Sequence, residues 1–437
     1  MRTIAYWLTL LTIILMPWES FLILPGVGTA SRFVGVVAAA FWVFTVFYTG
    51  KFRKLAPFHL VAFLFFLWNA ITILWSIDPV ETFLRSLTYM QLALFSLMLW
   101  DLFPTRANIQ MGLQAYVLGA YVPAGSTIYN YMNGIAFSYG RYASTGDNPN
   151  TTGILVALAL PLVWYLAASS DTTGALRRLR WVNYVYIPVA MFAILLTATR
   201  FALLMAVPAM LFGLSTAPRL SMKLRVLIFV AVLVALYGLS SWVPETALDR
   251  FATIDDEIQG GDLSDRTVLW DIGINMWLDH PFIGIGSGGY NMAVAPIFGR
   301  PRSIHNTFIS VLVELGAVGI CLFLLLLLMA LLHIVRHSAW EFRFWLTTVG
   351  VWLMGNLLLT WIYYKPTWLV LGLLAASAGL AGHKSEPEPD PETTALVPAV
   401  VSRLSHPLPP RVREQAIPAP LVPQVAKTTG AYIVKRA

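Results

Sequence analysis

The sequence predicts an all-α polytopic membrane protein of about twelve transmembrane helices with one large extramembrane loop. Three observations predict it. Hydrophobic residues make up 58% of the 437 and charged residues only 12%, whereas a soluble domain carries about 25% charge. Mean hydropathy is +0.70. The apolar residues fall in runs of roughly the 20 that a helix needs to cross a hydrocarbon core.

Taken in order, the runs lie near 4–23, 31–49, 57–76, 84–102, 109–130, 151–169, 182–199, 201–217, 225–242, 306–335, 344–363 and 367–382. The first follows "MRTIAYW" with no small-residue cleavage site, which predicts a retained helix and not a removed signal peptide. Alternate short loops are basic: "KFRK" (Lys51 to Lys54), "RRLR" (Arg177 to Arg180), "RLSMKLR" (Arg219 to Arg225) and "RHSAWEFR" (Arg336 to Arg343). The positive-inside rule assigns these loops and both termini to the cytoplasm. The opposite face then receives the segment around 131–150, the turn near Arg200 and the long loop 243–305. That face is expected to be the periplasm of a double-membraned bacterium, with the chain in its inner membrane. Residues 1–383 form the transmembrane domain, including the periplasmic loop 243–305. The remainder, 384–437 ("SEPEPDPETT", "HPLPPRVR", "IPAPLVPQ"), is rich in proline and charge, lacks helical periodicity and reads as a disordered cytoplasmic tail.

Several function classes drop out. The formal net charge of +7 sits in short loops between apolar runs, a pattern of topology and not of a nucleic-acid face. The one cysteine, Cys321, lies in an apolar run, so neither disulfides nor thiolate metal sites organise the fold. No internal repeat suggests a transporter built from inverted halves.

Once loop cations are assigned to the inside, arginines on the outside have no topological reason to exist. Arg200 interrupts "YIPVAMFAILLTATRFALLMAVPAMLFGL". A charge at bilayer depth costs about 2.5–3.5 kcal/mol on insertion scales, so it faces a wet or anionic site, or else marks a hairpin and snorkels. The long loop adds Arg250, Arg266, Arg300 and Arg302, and the smaller outer segment adds Arg141; Lys365 is the only lysine expected on this side. The guanidinium fork suits phosphate oxygens, which points to an anionic substrate. Pairing with Asp249, Asp255, Asp256 or Asp265 is the competing reading, favoured for Arg250.

His305 opens the next run. A neutral histidine accepts a proton from a hydroxyl, and Asn306 beside it can orient a polar ligand; both residues can instead cap the entering helix. His59, His333, His337, His383 and His406 lie near the cytoplasmic side, at a span end or in the tail, and His280 precedes Pro281 in a turn-like "DHPF". "GIGSGGY" (Gly284 to Tyr290) lacks the Lys-Ser/Thr of a phosphate loop, though its glycines allow close backbone approach to a ligand. "IDDEIQGGDLSD" lacks EF-hand spacing and reads as a solvated loop. No metal site and no cofactor are expected.

The order of these motifs resembles that of the O-antigen ligase and polymerase superfamily. "SDRTVLWDIGINMWLDHPFIGIGSGGYN" followed by "HNTFISVLVELGAVGI" is similar to its signature region, and "RYASTGDNPNTTGILVALALPL" and "LLTATRFALLM" to two earlier motifs. The resemblance covers most of residues 130–330. It implies transfer of a glycan from undecaprenyl diphosphate to an acceptor hydroxyl, with Arg200, Arg266 and His305 matching the family's arginines and its His-Asn histidine; Thr199 stands where serine is common. Together the readings assign the diphosphate to Arg200, Arg266, Arg141 and Arg302, catalysis to His305 and acceptor orientation to Asn306. The expected partners are an undecaprenyl-diphosphate-linked glycan donor, a lipid A-core acceptor and membrane lipids. A polymerase extending lipid-linked repeats, a protein O-oligosaccharyltransferase and an anionic-lipid transporter are the alternatives.

Overall fold

The computed structural model describes residues 1–381 apart from Val27, Tyr139, 170–173 and 217–265, of which only Met222 and Val226 are described. The predicted span 225–242, Arg250, the acids of the 249–265 stretch and the proline-rich tail therefore lie outside the described residues.

Long helices dominate. They are α1 (Arg2–Leu15), α2 (Ala30–Thr49), α3 (Pro57–Ile71), α4 (Pro79–Leu102), α5 (Arg106–Met132) and α6 (Pro149–Ala168). A short α7 (Gly174–Arg178) precedes α8 (Arg180–Thr197) and α9 (Arg200–Thr216). After the long loop come α10 (Arg266–Asp279), the single turns α11 (Tyr290–Ala293) and α12 (Ala295–Phe298), then α13 (Thr307–Ile334), α14 (Ala339–Asn356) and α15 (Lys365–Ala381). Among the described residues, eleven of the twelve predicted spans carry a helix, and seven helical segments are long and apolar enough to cross a membrane. The chain is a multi-pass, mostly helical membrane protein.

The helix starts are written in the sequence. Thr29, Asp78, Thr105, Asn148 and Ser338 each accept a bond from the backbone N–H three residues on, and Pro57, Pro79 and Pro149 fill first-turn positions that need no donor. Gly50, at φ 63, ends α2 in the left-handed region that favours glycine.

The structure departs from the expectations in three places. A two-stranded antiparallel hairpin, β1 (Ile23–Leu24) and β2 (Gly28–Thr29), joins α1 to α2. The basic "RHSAWEFR" segment is not all loop: α14 begins at Ala339 and contains Arg343. The span predicted across 306–335 is interrupted, because Gly316 adopts φ 66 and ψ −165 inside α13.

α6 is the hub. Nearly every residue from Thr152 to Ala167 is buried, and the helix packs on α5, α8, α9 and α14. Small residues allow that closeness: a Cβ on Gly153 would stand 2.8 Å from Ala202, and one on Gly213 of α9 would stand 2.3 Å from the Trp164 ring. With no hydrophobic drive between helices in lipid, such close packing is what holds a bundle together.

A smaller apolar core of Ile285, Tyr290, Val294, Ile304 and Val313 makes the described part of the long loop a folded element. The Tyr290 hydroxyl donates to Leu269 O (2.6 Å), and Trp270 Nε1 to Ile304 O (2.9 Å). These bonds fasten α10 to α11 and to the lead-in to α13.

Candidate active site

The site is assembled at one end of the bundle from four chain segments. α8 and α9 meet in a two-residue turn, Ala198–Thr199, with Ala198 at φ 46. Arg200 is thus the first residue of α9, at a helix N-terminus and not in mid-span. Arg266 is the first described residue of α10, and its guanidinium carbon lies 5.9 Å from the centroid of the Phe201 ring. Phe201 adjoins Arg200 in the chain, so the two arginine-bearing segments are neighbours. The N-terminus of α9 adds partial positive charge beside Arg200.

His305 lies within reach of the charges of Arg266 and Arg302. Its imidazole is held down to about 4, first by burial, then by the charges of Arg266 and Arg302. Among the described residues neither ring nitrogen has a hydrogen-bond partner. The backbone at His305 is left-handed, φ 52. Arg302 also stacks over Phe298 at 4.8 Å, and its charge reaches the Tyr290 phenol, which burial raises above its ordinary value.

Asn306 is the N-cap of α13. Its Oδ1 accepts from the N–H groups of Phe308 (2.9 Å) and Ile309 (3.1 Å), while Nδ2 donates to Leu357 O (3.2 Å). Thr307 extends the anchor: its hydroxyl donates to Leu359 O (2.8 Å) and accepts from Trp361 N (2.8 Å). The 357–364 segment therefore clamps the backbone just after His305. Asn306 sets where the histidine stands and has both side-chain groups engaged in doing so.

Arg141 is drawn into the frame. Its Nε donates to Thr197 O (2.9 Å), and Nη2 to Asn150 Oδ1 (2.8 Å) and Thr199 Oγ1 (3.1 Å). Thr199 in turn donates to Pro149 O (3.0 Å). Arg141 thus locks the turn that presents Arg200 to the start of α6.

The glycine-rich "GIGSGGY" segment packs closely against neighbouring protein backbone and side chains. Ile285 N donates to Val313 O (3.0 Å), Gly286 N to Glu314 O (2.9 Å) and Gly288 N to Glu314 Oε2 (2.8 Å). Ser287 donates to Thr72 Oγ1 (3.1 Å) through its N–H and to Asn69 Oδ1 (3.0 Å) through its hydroxyl. The glycines let the loop fill the break in α13, supplying donors to carbonyls that the interrupted helix leaves open, as irregular backbone at membrane depth requires.

Arg85 was not among the residues singled out. Its Nε pairs with Glu81 Oε1 at 2.8 Å, its guanidinium stacks 3.5 Å over the Tyr363 ring, and its charge interacts with Glu314. The rule that picked out Arg200 applies equally to it: a cation at the outer start of an apolar run.

No group of three or more His, Cys, Asp or Glu side chains converges on a metal-sized site among the described residues. No curated protein matches the chain. Residues 185–324 match the family model described as O-antigen ligase. That stretch contains Arg200, Arg266, Arg302, His305 and Asn306 but not Arg141. The motif resemblance is thus matched by the O-antigen ligase family model over residues 185–324, in a chain that is a multi-pass membrane protein.

Proposed function

We propose that the protein is a membrane glycosyltransferase that moves O-antigen glycan from undecaprenyl diphosphate to a sugar hydroxyl of lipid A-core, at the periplasmic face of the bacterial inner membrane. The observation that carries this reading is the convergence of Arg266 and Arg302 on a neutral, unbonded His305, with Arg200 at the adjoining helix start.

The donor diphosphate lies against Arg266, Arg200 and Arg302, and its prenyl tail lies among the helices. As the anomeric C–O bond breaks, negative charge grows on the departing diphosphate. Fixed guanidinium groups and the N-terminus of α9 stabilise that charge without reorganising. The acceptor hydroxyl attacks the anomeric carbon from the opposite face, and its proton passes to His305. One displacement inverts the anomeric centre. The diphosphate leaves as a dianion or more, and the arginines do the charge-balancing that other glycosyltransferases assign to a metal. Asn306 and Arg141 serve as positioning residues, the first for His305 and the second for Arg200. Full topology completes the reading: twelve spans, a periplasmic loop 243–305 and both termini in the cytoplasm.

The test is deletion of the gene in its host, with lipopolysaccharide resolved on a gel and the carrier lipid probed for glycan. A ligase leaves lipid A-core bare while long polymer stays on undecaprenyl diphosphate. Lipid A-core capped by a single repeat unit would assign the same site to a polymerase. An unchanged ladder would reject both, and glycan lost from a protein would name a protein acceptor.

A further inference from the structure

On the flank of the bundle, α2 and α4 part to leave a groove of about 730 Å³. Its walls are apolar, with Val36, Ala39 and Val43 on α2 facing Leu94, Phe95 and Met98 on α4. One end is polar. There the groove meets Arg32, Glu19, Tyr364 and Lys365. Lys365 is ion-paired to Glu19, and Thr29 Oγ1 donates to the same carboxylate (3.2 Å). That pair cancels its own charge. Arg32 has no such partner: among the described residues its guanidinium makes no hydrogen bond or ion pair. Asp147, behind Glu19, hydrogen-bonds Ser20 and does not line the groove.

The polar end belongs to the same face of the bundle as His305, because the 357–364 segment that clamps residues 306 and 307 runs directly into Tyr364 and Lys365. A long apolar trough with one uncompensated cation at its mouth has the chemistry of an amphiphile with a single negative charge. A diphosphate would call for more than one cation, as the cluster of arginines around His305 provides.

We propose that this groove seats an anionic membrane phospholipid, with its phosphodiester against Arg32 and an acyl chain between α2 and α4. The seat is separate from the residues assigned to glycan transfer, and it does not depend on that assignment. Bilayer lipid of the same leaflet has access to it without leaving the membrane, and Arg32 can bind the headgroup through the two parallel N–H bonds that suit phosphate oxygens.

The experiment is native mass spectrometry of the full chain in detergent, titrated separately with phosphatidylglycerol, phosphatidylethanolamine and inorganic phosphate. Phosphatidylglycerol is expected to be retained several-fold more than phosphatidylethanolamine, and inorganic phosphate is expected not to displace it. Arg32→Gln is expected to abolish the preference, Arg32→Lys to keep most of it, and Ala39→Phe, which fills the trough, to release the lipid with Arg32 intact. Equal retention of the two lipids by the wild type would overturn the proposal. So would an Ala39→Phe protein that holds phosphatidylglycerol as the wild type does, or displacement by free phosphate, which would mean a headgroup site with no tail. Should Arg32→Gln fail to fold, the lysine and Ala39 variants still decide the question.

Discussion

His305 is held with a left-handed backbone and with its imidazole within reach of two guanidinium charges, so its protonated form is disfavoured. The backbone conformation costs about 1–2 kcal/mol for a residue with a Cβ. The charges and burial keep the ring neutral down to about 4, so it is a competent proton acceptor at any physiological pH. Activity in kcat/KM, which reports the free protein, is therefore expected to stay level from neutrality down through pH 5 and fall only nearer 4. Arg302→Gln removes one of the depressing charges, which raises the His305 pKa and moves the acid limb to higher pH; a pH–rate profile reads the shift. The same linkage acts on stability. The folded-state pKa lies below the ordinary 6.5, so between about 4 and 6.5 the unfolded chain binds the extra proton, and this contribution to stability is intact above 6.5 and declines as pH falls toward 4. Asn306→Ala removes the cap of α13 and the link to Leu357, for an expected loss of about 1–2 kcal/mol in detergent unfolding, together with slower transfer. An unchanged unfolding midpoint would show that the cap is dispensable. At this scale the sequence was informative about which residue types gather and less so about what they touch. Arg200, Arg266 and Arg302 stood out because their charge had no topological explanation, and His305 because a neutral histidine opens the next run. Asn306 and Arg141 bear the same polar signature, yet their bonds to Leu357 and Thr197 join residues far apart in the chain, which no local pattern encodes.

Among elements, α13 shows the limit of reading spans from hydropathy. Its 28 residues are uniformly apolar enough to predict one straight helix, and Gly316 looks like any interior glycine. The break exists because the 281–288 segment inserts: Ala317 N donates to Pro281 O and Gly286 N to Glu314 O, both 2.9 Å. The glycine-rich segment was legible as a place of close approach. Its partner was not, since Ser76, which would meet a Gly286 Cβ at 2.3 Å, is over two hundred positions away. Gly316→Ala is expected to destabilise the bundle by more than about 1 kcal/mol, because φ 66 is strained for alanine and its Cβ would meet Phe282 O at 2.3 Å. Limited proteolysis should then cut within 281–289 faster than in the wild type. Protection equal to wild type would show that the insert docks without the break.

For the whole molecule, spacing of apolar runs sufficed to locate eleven helices among the described residues, because hydrocarbon thickness sets their length and capping residues set their starts, although α1 and α14 end before their predicted runs 4–23 and 344–363 do. What spacing could not supply is the order of packing. That α6 lies at the centre follows from Gly153, Gly213 and their neighbours, and only the assembled bundle reveals it. The proposed orientation rests on the positive-inside reading of the basic loops and is checked by labelling. In a Cys321→Ser background, cysteine placed at Arg300, which is exposed, is expected to react with a membrane-impermeant maleimide from the periplasm, and cysteine at Arg336 only after the inner membrane is opened. The reverse pattern would invert the topology and remove the site from its substrates. The most direct measurement of the account as a whole is transfer by the purified full chain in proteoliposomes, supplied with undecaprenyl-diphosphate-linked glycan and lipid A-core in the presence of a chelator. The account predicts glycosylated lipid A-core from the wild type, and a loss of rate on the order of 10²-fold or more, with the fold intact, from His305→Ala and from Arg266→Ala. Transfer that persists in both variants would contradict it.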